Sequence, residues 1–300
     1  MKALVISGGG SKGAFAGGIA QYLIEEKKKD YKLFVGTSTG SLMLTHLALG
    51  KVEELKDIYS NVDQHTIFSS CPFKIKTYKG HVTVGINHFN TVKNFLRGSK
   101  TFGESYHLKE MIERNISDAY LQAVKDSKKK LLVTVSNLTL NQVEFKGLEE
   151  HTFDDFRDFI WASSNFVPFM SLLIKNSYEY ADGGFANLVP IREAIRQGAT
   201  EIDAIILDTE VTQLNRMPSR NPFSLITNLF NYMQIHIEKY NVSIGEFEAR
   251  HKHVKLNLYY TPSVLTTNTL IFRKEKMRQW WDQGFKHAAD RERERRLGSH

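Results

Sequence analysis

The sequence predicts an α/β fold built on a parallel sheet, and two observations carry that prediction. Residues 2–6 form a short apolar run. A glycine-rich loop follows, then a helical pattern over 14–26, then a second apolar run over 32–35. Strand, loop, helix and strand in that order make a βαβ unit, whose crossover leaves the strands parallel. Further short apolar runs at 131–135, 202–207 and 254–259 alternate with helical patterns, as buried strands of such a sheet do.

The elements can be justified in order. Over 14–26, Phe15, Ile19, Tyr22 and Leu23 fall on one helical face. Lys27-Lys28-Lys29-Asp30 is a solvated turn before the second strand. Helices follow over 41–49 and 51–59, separated by Gly50. Residues 60–105 are polar and glycine-punctuated but studded with Phe68, Phe73, Tyr78, Phe89, Phe95 and Phe102. They read as a lobe beside the site, with ordinary core or acyl-chain contact both open for the aromatics. A helix is expected over 107–115, a strand over 142–145 beside 131–135, and an amphipathic helix over 153–162. Residues 172–174 and 178–180 flank Lys175-Asn176-Ser177 as a hairpin. Helices are expected over 191–197, 222–240 and 273–287. The helix over 222–240 reads either as packing on the sheet or as part of a substrate mouth.

Composition sets bounds. With 300 residues, 41% hydrophobic and 24% charged, the chain is an ordinary globular protein. No boundary or repeat divides it, so one domain over 1–297 is expected, with Gly298-Ser299-His300 read as a tag remnant. The lone Cys71 excludes an intrachain disulfide framework and a multi-cysteine metal site. The first residues offer too short an apolar region for a secretory leader, and no 18-residue apolar run exists. A cytoplasmic location is therefore expected, with non-classical export left open. The formal charge of +7 would assist contact with phospholipid headgroups, and equally has no specific meaning.

Two motifs carry chemistry. Gly36-Thr37-Ser38-Thr39-Gly40 meets the end of the second strand, where a sharp turn exposes a serine and the following helix start favours a developing anion. Ser38 reads as a nucleophile; the blander reading is a helix N-cap. The second motif is Gly8-x-Gly10-x-x-Gly13, which matches a dinucleotide fingerprint. That fingerprint needs an acidic residue at the end of the second strand, and Val35-Gly36 stand there. A phosphate loop fails too, because Lys12 is followed by Gly13 instead of Ser or Thr. What remains is a ring of backbone N–H groups suited to an oxyanion, or a tight turn with no ligand.

A serine needs a base. Eleven histidines are available, and none sits where a sheet edge would bring it to Ser38, long-range contacts aside. His46 is about 12 Å along a helix from Ser38. Asp182 is better placed: it follows an apolar–aromatic strand and precedes Gly183-Gly184 in a sharp turn. Its carboxylate is either the base or an ordinary turn aspartate.

These residues resemble the patatin-like phospholipases. The resemblance rests on residues 8–13, on the elbow at 36–40, on Asp182-Gly183-Gly184, and on Trp161-Ala162-Ser163-Ser164-Asn165-Phe166-Val167-Pro168-Phe169, which is similar to that family's Ala-Ser-x-Ala-x-Pro block. It covers roughly residues 1–210 and leaves 60–105 and 211–297 unpinned by any motif. It implies a three-layer α/β/α sandwich with a mainly parallel central sheet. It implies a Ser38–Asp182 dyad and an oxyanion hole from Gly8, Gly9, Gly10, Ser11 and Lys12. Gly13, Gly36, Gly40, Gly183 and Gly184 support these motifs. The implied activity is acyl-ester hydrolysis of phospholipid or another acyl lipid through an acyl-enzyme, with no metal and no cofactor; peripheral contact with a membrane surface is left open, and no nucleic-acid partner is expected. The alternatives are a non-catalytic or regulatory lipid-binding protein on the same scaffold, and a nucleotide binder using the glycine loop. Two departures stand out. Lys12 replaces the family's usual Arg and loses its bidentate geometry. Asn165 replaces a small residue and is expected to alter the pocket wall.

Overall fold

The computed structural model describes residues 1–78, 81–211, 219 and 222–297. Residues 298–300, read as a tag remnant, lie outside them. The chain opens with β1 (Lys2–Ile6), α1 (Gly13–Gln21) and β2 (Leu33–Thr37), then α2 (Leu44–Ala48), α3 (Val52–Asn61) and α4 (Gln64–Ile67). A hairpin of β3 (Phe73–Tyr78) and β4 (His81–Ile86) follows, with α5 (His88–Leu96), α6 (Tyr106–Asn115) and α7 (Asp118–Asp126). Next come β5 (Lys130–Asn137), β6 (Gln142–Gly147), α8 (Phe153–Ser163), β7 (Leu173–Lys175) and β8 (Tyr178–Asp182). The chain closes with α9 (Ile191–Arg196), β9 (Glu201–Ile206), α10 (Pro222–His251), β10 (Lys255–Tyr260) and α11 (Lys274–Leu297).

The central sheet has the order β10-β9-β1-β2-β5-β8-β7, with β6 also paired to β5. The first five strands of that order are mutually parallel, and β6, β7 and β8 add antiparallel pairs at one side. Alternation along the strands builds two cores. Leu4, Ile6, Phe34, Val133 and Ile205 face α1, α3, α8 and α11. Ala3, Val5, Leu33, Val35 and Ile206 face α9 and α10. This is a three-layer α/β/α sandwich with a mainly parallel sheet.

The register along β5 positions the site. Strand β6 takes one edge of β5, from Leu132 to Asn137. Strands β2 and β8 therefore share the other edge. β2 runs parallel to β5 and ends with Thr37 opposite Thr134. β8 runs the opposite way and ends with Asp182 opposite Val135, the next residue along. The two strands meet head-on, and each then turns out of the sheet.

Three sequence expectations change. All nine residues of α1 are buried, not one face, because α11 covers its outer side. Trp281 of α11 donates its indole N–H to Gln21 Oε1 at 2.8 Å. Helix α10 runs on to His251, past the expected end at Tyr240, because Val242 and Ala249 continue its apolar stripe. Helix α7 was not foreseen. Only Leu121 and Val124 of it are buried, but Ser117 caps it, its side chain accepting the Tyr120 N–H. That Ser-Asp start was the available signal.

Candidate active site

Ser38 stands at the end of β2 with φ +54, a left-handed conformation that costs a non-glycine residue roughly 1–2 kcal/mol. Several contacts hold it there. Its N–H donates to Ser163 Oγ at 2.9 Å. Its carbonyl accepts from Ser41 Oγ at 2.6 Å and from Ser164 Oγ at 3.2 Å. The turn also needs close backbone approach: a Cβ on Gly40 would lie 2.3 Å from the Ile6 carbonyl oxygen. The helix behind Ser38 is not the single 41–49 helix expected. It begins as a tight 3-10 segment, Ser38–Met43, and becomes α-helical only in α2.

Asp182 ends β8 and is 2% exposed. Its N–H donates to the Asn165 carbonyl at 3.0 Å. Its Oδ1 accepts the Gly184 N–H at 2.7 Å. Burial pushes its carboxyl up to about 7, against a hydrogen-bonding pull from the Ser38 side chain and from the Gly184 N–H. A carboxylate poised near neutrality beside a serine hydroxyl can take that proton and return it.

The two side chains share a cleft whose walls include Gly9, Gly10, Thr39, Leu42, Phe166, Met170 and Gln234. Most of the exposed lining is apolar. Within the glycine loop, Gly8 N–H donates to Leu188 O, Ser11 N–H to Thr269 O and Lys12 N–H to Gly9 O. Gly9 and Gly10 line the cleft, and among the described residues their N–H groups meet no backbone acceptor outside regular structure. Gly10 has φ +56, and a Cβ there would lie 2.3 Å from the Thr269 carbonyl oxygen. Of the five N–H groups expected from sequence, those of Gly8, Ser11 and Lys12 are thus engaged with backbone carbonyls. Gly13, Gly36, Gly183 and Gly184 all sit where a Cβ would press on neighbouring atoms.

The two departures resolve differently. Lys12 is not part of the cleft wall. Burial pushes the Glu238 carboxyl up to about 8, and the Lys12 charge opposes that shift. Asn165 does not alter the pocket wall as expected. It is fully buried, and its Oδ1 accepts from Ser105 Oγ at 2.6 Å. Its neighbours Ser164 and Phe166 line the cleft.

None of the histidines lines this cleft among the described residues. His46 is buried beside Tyr120, and burial holds it below the usual imidazole range. Sequence reasoning missed Gln234, Thr269, Leu270 and Phe272, which reach the cleft from the unpinned segment 211–297. Helix α10 contributes in two places. Its first half supplies Gln234 to the cleft, and its second half packs on the sheet through Val242 and Ala249. A second, almost wholly apolar cavity opens beside the first, lined by Leu55, Ile58, Val62, Met111 and Ile116. It shares Thr39, Leu42, Ile67 and Phe272 with the cleft. Among the described residues, no group of His, Cys, Asp and Glu is arranged to hold a metal ion.

Comparison with known proteins bears on this arrangement. The profile of the patatin-like phospholipase family matches residues 4–195, a span that includes the glycine loop, the Ser38 turn and Asp182. An uncharacterized protein, L620, of Acanthamoeba polyphaga mimivirus is 27% identical over 341 aligned positions, covering 93% of this chain and 86% of that protein. Among solved structures, VipD from Legionella pneumophila has a similar fold, with a TM-score of 0.51 at 15% identity. That match covers 96% of this chain and 66% of VipD, so the chain spans a little under two thirds of that protein's length.

Proposed function

The chain belongs to the patatin-like phospholipase family, and from that premise we propose that it hydrolyses fatty-acyl esters of phospholipid or a related acyl lipid through Ser38 and Asp182. The observation that carries this reading is the meeting of a strained serine and a buried carboxyl, from opposite strand ends, in one apolar-walled cleft. In this mechanism Ser38 Oγ attacks the ester carbonyl carbon as its proton passes to Asp182. The Gly9 and Gly10 N–H groups stabilise the tetrahedral oxyanion. The intermediate collapses to an acyl-enzyme, and Asp182 returns the proton to the departing alcohol. Water, deprotonated by Asp182, then releases the fatty acid and restores Ser38. The apolar cavity beyond Leu42 suits the acyl chain.

A fluorophosphonate probe tests the nucleophile. The wild-type protein should label stoichiometrically and Ser38→Ala not at all; equal labelling of the two would remove Ser38 from this role. The base has its own signature in pH. Only ionised Asp182 can accept the serine proton, and its pKa is raised to about 7. kcat/KM on a soluble ester is therefore expected to climb as pH rises and to level off above about 7. A profile flat between about pH 5 and about pH 8, as an ordinary carboxyl near ~4 would give, would exclude this carboxyl as the base.

A further inference from the structure

Helix α5 is built inside out. Its polar stripe faces the protein: Asn94 Nδ2 donates to the Phe102 carbonyl at 3.0 Å, Ser70 Oγ donates to Asn94 Oδ1 at 3.1 Å, and Asn90 Nδ2 donates to the Cys71 carbonyl at 2.9 Å. Its apolar stripe faces out, with Phe89 76%, Val92 55% and Leu96 84% exposed. A surface helix normally does the reverse. The flanking charge has one sign. Residues 64–103 contain six Lys and Arg and no Asp or Glu. Of these, Lys74, Lys76, Lys93 and Arg97 are exposed, as is Lys100, which is paired with Glu179 at 2.7 Å. We infer that α5 and the adjoining β3–β4 hairpin form a docking surface for an anionic lipid bilayer.

Apolar residues facing out among cations are what an interfacial helix needs: the former enter the acyl boundary while the latter meet anionic headgroups. A protein partner or a second copy would cover the apolar stripe equally well, but neither accounts for forty residues of uniform charge or for the path that leads inward. A run of ring contacts connects the surface to the cleft, from Phe95 to Phe102 at 5.8 Å, to Phe169 at 6.0 Å, and to Phe166 at 6.2 Å. Phe166 lines the cleft with Ser38. An adjoining cavity is walled by the hairpin and by α10. Leu225, Leu229, Tyr232 and Met233 of α10 are also exposed and do not line that cavity. No helix among the described residues is long and apolar enough to cross a membrane. The inference rests on the acyl-lipid reading of the Ser38 cleft, for which the bilayer is the source of substrate.

The test uses the full chain carrying Ser38→Ala, so that binding is read without turnover. It should co-sediment with phosphatidylcholine vesicles containing phosphatidylserine, far less with phosphatidylcholine alone, and less as salt is raised. Phe89→Ser with Leu96→Ser should weaken that binding at least ~10-fold. Lys93→Gln with Arg97→Gln should weaken it roughly 25-fold, about five-fold for each charge. On the Ser38 background the same pairs should keep wild-type turnover of a soluble short-chain ester and lose hydrolysis of vesicle lipid. Vesicle binding unchanged in both pairs, or absent in the parent, overturns the docking surface. A fall in molecular mass in the Phe89→Ser and Leu96→Ser protein by light scattering would also overturn it, and assign the stripe to a second copy. Absence of soluble-ester turnover in the Ser38 protein would instead strike the hydrolase reading, and the vesicle result on Ser38→Ala would still decide the docking.

Discussion

Asp182→Asn is expected to lower kcat on a soluble ester about 10³- to 10⁴-fold, the scale on which a general base contributes, while leaving the protein folded. The amide keeps the shape of the side chain and can keep accepting the Gly184 N–H through its oxygen. It cannot take the serine proton. Stability should move the other way. The folded Asp182 carboxyl holds its proton up to about 7, whereas an unfolded aspartate releases it near 3.8. Between those values the folded state binds more protons, so its stability falls as pH rises toward 7 and stays low above it. The amide carries no charge to bury. The variant should therefore match wild type near pH 4 and exceed it by about 2–4 kcal/mol at pH 8, since each pKa unit is worth about 1.4 kcal/mol. Urea denaturation at the two pH values reads this directly. A variant that turns over normally would return the base to other groups, and one less stable than wild type at pH 8 would mean that the carboxylate contributes more to the fold than its burial costs.

Gly40→Ala has the next largest expected effect, and it falls on the fold. The new Cβ would lie 2.3 Å from the Ile6 carbonyl oxygen and 2.9 Å from its carbon. Both are backbone atoms of β1, which is locked between β2 and β9, so nothing flexible can give. A loss of about 3 kcal/mol or more is expected by urea denaturation. Any folded fraction should carry a displaced Ser38, and a shift of about 1 Å there costs on the order of 10²-fold in turnover. Gly50→Ala is the control. Gly50 has φ +70 but open space around it, so only the left-handed backbone is penalised, by roughly 1 kcal/mol. Equal losses at the two positions would contradict the close-approach account of the elbow.

The strands were the legible part of this chain. Runs such as Leu131-Leu132-Val133 and Ile205-Ile206 are apolar on both sides because helices cover both faces of the sheet, and such runs announce themselves. Ser38 and Asp182 were legible because glycines mark each turn. The helix over 14–26 was harder, since its outer face is buried by α11, far away in sequence. Gln234 and Thr269 were illegible for the same reason. Their role depends on how α10 and the segment before α11 return to the glycine loop, and no local pattern encodes that return. The 60–105 segment gave up its aromatics but not their directions. Phe68 and Phe73 point inward while Phe89 points out, and only the seating of Asn90 and Asn94 fixes which.

The head-on meeting of β2 and β8 has a consequence for how this architecture tolerates change. Thr37, just before Ser38, and Asp182 lie opposite neighbouring residues of β5, so the pair is set by one step of a ruler, the rise of about 3.3 Å per residue along that strand. Of the chain between them in sequence, β5 is that ruler and β6 pairs with its other edge, while the helices and turns between strands lie off it. Chain added at an exposed turn such as the one between β5 and β6 would enlarge the surface and leave the pair at its working separation. A one-residue slip of either strand on β5 would part the pair by a whole step and flip the slipped strand's side chains to the opposite core. The lobes around such a site are free to diversify, and the three strands beneath it are not.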